Sequence, residues 1–385
     1  MTMNDTPVLI DTDVHNQIGS LLPYLPKAWH DRYHDVGLPY GAQYYSSIGT
    51  NRKDAVTDKG GAPGSDPQFL ISDHMDRYGI DYAILTGSGV LGLSLDPDPD
   101  YGNVLAAACN DRMVDTWLNV SPRFRGSIFV NASDPMAAAA EIRRLASNPS
   151  MVQVLMASAA RMPYGQRFYH PIYDAAQECG LPVAVHPGTE GKGISGAPTP
   201  SGYPTRYMEW HNILPTNYMT HVNSLVCEGV FEKFPKLKFV AIEGGISWLP
   251  HLMWRMDKNY KALRESTPWL KRFPSEYIKD HIRLTTQPIE EPDNPEHLLQ
   301  ILHMIEAEKT VMFSSDYPHW DNDNPRMALP RMPKAMKQRI LAGTAADLYG
   351  LHTRPERKND LSVDLAEKIA KESEHSPENV WGEDE

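Results

Sequence analysis

Four short stretches end in residues able to hold a metal or move a proton. They are Asp13 and His15 in PVLIDTDVH, His186 in LPVAVHPG, Glu243 in LKFVAIEGG, and Asp316 in KTVMFSSDYPHW. Each follows a run rich in β-branched and apolar residues, the mark of a strand. Asp-x-His at i and i+2 puts both side chains on one side of an extended strand. Two imidazoles and two or three carboxylates around one point suit a first-row divalent cation. Such a cation lowers the pKa of a bound water from ~15.7 toward ~7 and polarises a carbonyl. Singly, each residue has a plainer reading. His186 can be a satisfied strand-end histidine, and Asp316 can open a turn with its Ser and Pro neighbours. Glu243, before two glycines, can sit at a helix start and favour its dipole. Their joint occurrence at four strand ends is what points to a metal.

Convergence requires the strands to share a face. Apolar runs at 7–13, 81–87, 126–131, 151–156, 181–186, 237–243, 282–286 and 309–316 alternate with helix-like segments at 103–120, 135–145, 169–179, 219–234, 295–305 and 330–342. That alternation is the pattern of a parallel α/β fold. Eight such units predict a (β/α)8 TIM barrel over residues 1–351, with the active site at the carboxyl ends of the strands. SDPMAAAAEIRRL and DNPEHLLQILHMI each open with a cap and a proline in the first turn. Two loop insertions exceed a minimal barrel. Residues 16–68 follow the first strand, and 41–68 within them read as a lid over the barrel mouth. Residues 188–211, rich in Gly and Pro, follow the fifth strand on the same face.

The 385 residues carry a formal charge of −12, which argues against a nucleic-acid partner. Part of the acidic excess lies in a predicted tail, 352–385, ending ESEHSPENVWGEDE. No apolar run spans a bilayer, and the opening MTMNDTPVLIDTDVHN has no basic segment leading into an apolar one. Cys109, Cys179 and Cys227 are far apart and read as free buried thiols. A cytoplasmic protein is the expectation.

The stretches IDTDVH, QRFYHPIYDAAQECGLPVAVHPG, FEKFPKLKFVAIEGGISWLPHLMWRMD, FSSDYPHWD and GTAADLYGL resemble the amidohydrolase-related family that includes aminocarboxymuconate-semialdehyde decarboxylase and its relatives. The resemblance runs over nearly all of residues 8–351. It implies one divalent cation, zinc first and manganese or iron(II) next, with Asp13, His15, His186 and Asp316 as ligands. It also implies a homodimer acting on a small molecule. One position departs from the pattern: decarboxylases of the family commonly carry a histidine after strand 6, where this chain has Glu243. A carboxylate there can serve as a general base or a further ligand.

The primary expectation is therefore a metal-dependent hydrolase of a small organic acid, amide or ring-cleavage product, with Asp316 or Glu243 taking the proton of the attacking water. The alternatives are a non-oxidative, metal-dependent decarboxylase of an aromatic or unsaturated acid, and a catalytically inactive binding barrel. Arg161, Arg206 and Arg255 are candidates for gripping a substrate carboxylate. Trp248 and His319, with Tyr164, Tyr207, His251 and Trp320, are candidates for lining an aromatic site.

Overall fold

The computed structural model describes residues 8–39 and 50–356. Eight parallel strands form one sheet in the order β1 to β8. They are β1 (Ile10–Val14), β2 (Tyr82–Leu85), β3 (Phe124–Phe129), β4 (Met151–Ala157), β5 (Val183–His186), β6 (Phe239–Ala241), β7 (Ile282–Thr285) and β8 (Val311–Met312). The segment after β8 closes the barrel onto β1: Thr12 N–H donates to Phe313 O at 3.1 Å, Asp316 N–H to Asp13 O at 3.1 Å, and His15 N–H to Tyr317 O at 2.7 Å. All eight expected strands exist, most of them shorter than the apolar runs that announced them, with β3 shifted toward its amino end and β4 one residue longer. Nearly every strand residue is buried, as expected when helices cover a parallel sheet from outside and side chains fill it from within.

Helices form where caps and apolar spacing ask for them. Pro135–Leu145 is capped by Asp134, whose carboxylate accepts from Ala137 N–H, and Pro295–Met304 by Asn294, which accepts from Glu296 N–H. The expected helix 219–234 is two pieces, Pro215–Cys227 and Val230–Lys233. Gly229 at φ 71° turns the chain between them, a conformation only glycine adopts without cost. The 16–68 region is less irregular than expected. It contains the helix His30–Val36 and short 3-10 turns at Leu22–Tyr24, Lys27–Trp29 and Lys53–Ala55. Among the described residues no helix is long and apolar enough to cross a membrane. All three cysteines are free; Cys109 is buried, while Cys179 and Cys227 are only half-buried.

Candidate active site and metal centre

Side chains of Asp13, His15, His186, Glu243 and Asp316 meet at the carboxyl end of the barrel. One ligand atom from each lies within 4.8 Å of every other, and all five residues are buried. β1 reaches this point through a slip in register: three residues of β1, Asp11 to Val14, advance against two of β2, Ala83 to Leu85. A bulge of this kind re-aims side chains, and this one falls between Asp11 and Val14, the span that holds Asp13. Glu243 and Asp316 lie just beyond their strands with φ of 57° and 61°. Such left-handed backbone is costly for residues with a side chain and concentrates at functional sites. Neighbours hold both in place. Glu243 N–H donates to Thr285 Oγ1 at 3.0 Å, and His319 N–H donates to Asp316 O at 2.8 Å.

The hydrogen bonds leave ligand lone pairs aimed at a common centre. His15 Nδ1 lies 3.0 Å from Gly87 O and His186 Nδ1 lies 2.7 Å from Pro187 O. A carbonyl only accepts, so each Nδ1 carries the hydrogen and each Nε2 is a bare lone pair in the neutral ring. Asp13 Oδ1 accepts from Thr86 Oγ1 at 2.7 Å, and Asp316 Oδ1 from His319 Nδ1 at 2.7 Å. That leaves His15 Nε2, His186 Nε2, Asp13 Oδ2 and Asp316 Oδ2 buried with no hydrogen-bond partner. These atoms nevertheless crowd together. His15 Nε2 is 2.9 Å from Asp316 Oδ1, and His186 Nε2 is 3.3 Å from Asp13 Oδ2 and 3.1 Å from Glu243 Oε2. Unsatisfied buried acceptors facing one another repel. A divalent cation satisfies all of them at once, and the donor set fits one.

Titration behaviour carries the same message. Burial opposes a charge on His15, but Asp13 and Asp316 outweigh it and raise its pKa to about 9. Burial also drives Glu243 well above the usual carboxylate range, reinforced by Asp316, Asp321 and Asp13. Asp316 goes the other way: burial is outweighed by the His319 and His15 imidazoles, and it stays ionised. The centre thus carries more negative charge than it can hold without a cation or protons.

Beneath the ligands runs a buried polar layer. The Asp11 carboxylate accepts from Ser315 N–H at 2.9 Å, Ser315 Oγ at 2.5 Å and the His74 Nε2 at 2.7 Å. It also receives Asp13 N–H at 3.3 Å. His74 stacks on Tyr317, whose hydroxyl donates to Asp73 Oδ2 at 3.0 Å. One carboxylate therefore ties the backbone carrying Asp13 to the backbone carrying Asp316.

Above the ligands lies a cleft of about 180 Å³. His15, His186, Glu243, Asp316 and His319 line its floor, and Tyr207, Trp210 and Trp320 its walls. The helix Tyr207–His211, from the insertion after β5, brings Tyr207, Trp210 and His211 over the mouth. His211 Nε2 lies 3.5 Å from Asp321 Oδ2 and 3.9 Å from Glu243 Oε1. Burial, and then Asp316, raises the Asp321 pKa to about 7. Part of the expected lid belongs to the same wall. Thr50 and Asn51 line the cleft, Trp320 N–H donates to Thr50 O at 2.8 Å, and Arg52 N–H to Pro318 O at 2.9 Å. Gly64, at φ 72°, passes so close to β1 that a Cβ would lie 2.5 Å from His15 O. The rest of the expected lid, 41–49, falls outside the described residues, as does most of the expected tail, 357–385.

Of the residues expected to contact substrate, only His319, Tyr207 and Trp320 line the cleft. Arg161, Arg206 and Arg255 are exposed and outside its lining, as is His251. Arg161 sits in the turn after β4, Arg206 precedes the helix it introduces, and Arg255 lies on the solvent face of Trp248–Leu263. Trp248 is buried beneath the site, its Nε1 donating to Gly244 O at 2.9 Å and Gly245 O at 3.0 Å. Tyr164 is wholly buried, with its hydroxyl donating to Ala157 O. Nor is Glu243 the residue that serves the next helix. Glu290 does so, accepting from Ser247 N–H at 3.0 Å and Ile246 N–H at 3.1 Å. His211, Asp321 and Trp210 were not anticipated, although aromatic residues at i, i+3 and i+4 in YMEWH were a readable sign of a one-sided helix.

An eight-stranded barrel with a buried His and carboxylate centre at its carboxyl end defines a metal-binding TIM barrel. Residues 10–351 match the amidohydrolase family model, and the chain belongs to that family. Over 262 residues it is 24% identical to gamma-resorcylate decarboxylase of Rhodococcus jostii, covering 63% of this chain and 75% of that protein. The crystal structure of 2,6-dihydroxybenzoate decarboxylase from Rhizobium matches with a TM-score of 0.64 at 19% identity, covering 90% of this chain and 100% of that one. The 5-carboxyvanillate decarboxylase of Novosphingobium aromaticivorans, complexed with manganese and 4-hydroxy-3-methoxy-5-nitrobenzoic acid, matches with a TM-score of 0.67 at 22% identity, covering 91% and 98%.

Proposed function

We propose that the protein is a non-oxidative, metal-dependent decarboxylase of a small aromatic carboxylic acid. The observation that carries this reading is the identity to gamma-resorcylate decarboxylase across most of that protein, and the cleft suits the chemistry. Its walls are aromatic, and no lysine or arginine occurs among its described lining residues. A substrate carboxylate therefore has no cationic side chain to pair with there. A divalent cation held by Asp13, His15, His186 and Asp316 would supply Lewis-acid polarisation of the substrate's oxygens. Glu243 stands beside His186 as a fifth donor or as the group that delivers a proton. The reaction breaks the bond from ring carbon to carboxylate, leaves the electron pair on the ring carbon, and needs a proton there as CO2 departs. Glu243, Asp316 and the His211–Asp321 pair surround the space where that proton must arrive. With three carboxylates among five donors, the set favours a harder cation such as manganese over zinc.

Hydrolysis, the primary expectation from sequence, is the second reading, and Glu243 sustains it as a base for attacking water. One experiment separates the two. Manganese-loaded protein is incubated in H₂¹⁸O with 2,6-dihydroxybenzoate, 5-carboxyvanillate and related hydroxybenzoates, alongside aryl amides and esters. CO2 release with an unlabelled phenol supports decarboxylation. An ¹⁸O-labelled acid product without CO2 overturns it in favour of hydrolysis.

A further inference from the structure

The opposite end of the barrel holds a second charged cavity that this chemistry does not use. Near the amino-terminal ends of β5 to β8, a cleft of about 310 Å³ is lined by Lys236, Lys238, Arg283, Lys309 and Arg339, against the single carboxylate of Asp347. In a chain of net charge −12, five cations around one cleft run against composition. A neighbouring cavity of about 500 Å³ shares Lys238 and Lys309.

Two of the five are paired. Lys309 Nζ is 2.6 Å from Asp280 Oδ1, and Arg339 Nη2 is 2.8 Å from Asp347 Oδ2. Arg283 is not, although it is only 8% exposed. Its Nη1 donates to the carbonyls of Lys279 at 3.4 Å, Asp280 at 3.3 Å and Ile282 at 2.8 Å. No carboxylate of a described residue lies within ion-pair distance of it. Lys238 Nζ donates to the same Asp280 carbonyl at 2.8 Å and also lacks a carboxylate. The exposed Lys236 likewise forms no ion pair with a described residue. The carboxyl end of helix Pro274–His281 accounts for Arg283 Nη1 through the helix dipole. It leaves Nη2 and Nε without a protein acceptor in a cleft already crowded with positive charge. Burial lowers the Arg283 pKa to about 10, with Asp280 and Asp347 opposing and Arg339 adding to the effect; burial and Arg283 lower Lys238 against the pull of Asp280. With Nη1 held by the helix carbonyls, Nε and Nη2 keep their hydrogens free to meet an oxyanion in the cleft.

We propose that this cleft binds a small oxyanion of the phosphate class, free or as a phosphate ester, separately from the metal centre. The fork of Arg283 would take two oxygens side by side, and the lysines would add point charge. The three cations that lack carboxylates match a dianion better than a monocarboxylate.

Calorimetric titration of the full-length, manganese-loaded protein with inorganic phosphate tests this, against sodium chloride at matched ionic strength. Saturable uptake is expected, weakened at least ten-fold in Arg283→Gln and several-fold in Lys236→Gln, with metal content unchanged. Parallel titration with glycerol phosphate separates the sources: tighter binding than phosphate indicates an ester, and equal or weaker binding indicates the free ion. Absence of saturable uptake overturns the proposal. So does unchanged affinity in Lys236→Gln, whose exposed side chain makes that variant safe for folding even where Arg283→Gln is not. Phosphate held only at the metal centre would give that same unchanged result.

Discussion

The two ends of this barrel oppose each other in charge and in how the charge is held. At the carboxyl end, Asp13, Glu243 and Asp316 gather around two histidines; at the amino end, five cations face one carboxylate. Each end concentrates charge of one sign that the protein only partly compensates. The backbone differs more. The acidic end depends on a register slip in β1, two left-handed residues and insertions after β1 and β5. The basic end gathers Lys236, Lys238 and Arg283 from the starts of β6 and β7, Lys309 from the short helix Ala307–Thr310 and Arg339 from the segment after β8, with one left-handed residue, Glu306 at φ 55°. Backbone irregularity is therefore denser at the end where geometry must be exact enough for chemistry.

Removing one ligand should break the acidic end and leave the basic end intact. His186→Ala is expected to lose most bound metal and nearly all turnover, with circular dichroism and phosphate uptake close to wild type. A variant that retains stoichiometric metal would take His186 out of the ligand set.

Glu243→Gln sharpens the same end. If Glu243 moves the proton, the rate falls roughly 10²–10⁴-fold while metal content holds. If it is a fifth ligand, metal binding weakens and excess manganese restores part of the rate. A near-wild-type rate and metal content would remove it from both roles.

Much of this site was legible in the sequence because strands report themselves through apolar, β-branched runs and a barrel sends their ends to one place. Asp13, His15, His186, Glu243 and Asp316 were all at run ends, and the structure brings all five together. What spacing could not tell is where a loop side chain points. Arg161, Arg206 and Arg255 sit near the right strands in sequence, yet each faces solvent. Nothing in the order of residues says that His211 and Asp321, far apart in the chain, meet across the mouth at 3.5 Å. The amino-end cations were invisible for a similar reason: each is an ordinary surface-type residue until the barrel collects them.

A smaller effect is expected one layer below the ligands. Asp11→Asn keeps the shape but weakens the acceptor that joins Ser315, His74 and the Asp13 backbone. Partners of this kind are worth about 10–100-fold in metal affinity or activity. Manganese titration of the variant should show that loss without a change in phosphate uptake at the other end. Unaltered metal affinity would reduce the layer to packing.

The smallest effect compares one histidine at each end. His221 sits under the β4 end with Nε2 2.8 Å from Ser158 O, while its Nδ1 accepts from Tyr164 N–H at 3.2 Å. The bond to Ser158 fixes the proton on Nε2, so a second proton on Nδ1 would face an N–H donor. Burial lowers its pKa from 6.5 to about 4. His281, in the amino-end cavity, is also lowered to about 4, by burial first, with Lys238 and Arg272 adding to it against the Leu237 carbonyl and Asp280. Each pKa is depressed on folding, so the unfolded chain binds the extra proton as pH falls from about 6.5 toward 4. Stability is full above that window and drops through it, by about 1 kcal/mol per histidine at pH 5.5. Melting curves of His221→Gln and His281→Gln should therefore fall less steeply with acid than wild type. Salt should separate the two sites, because it screens Lys238 and Arg272, which together outweigh Asp280 at His281, whereas no charged group of the described residues shifts His221. The acid slope attributable to His281 should shrink at high ionic strength, and that of His221 should not. Equal salt responses would mean that the cations of the amino end do not act on its interior, which would weaken the contrast between the two ends.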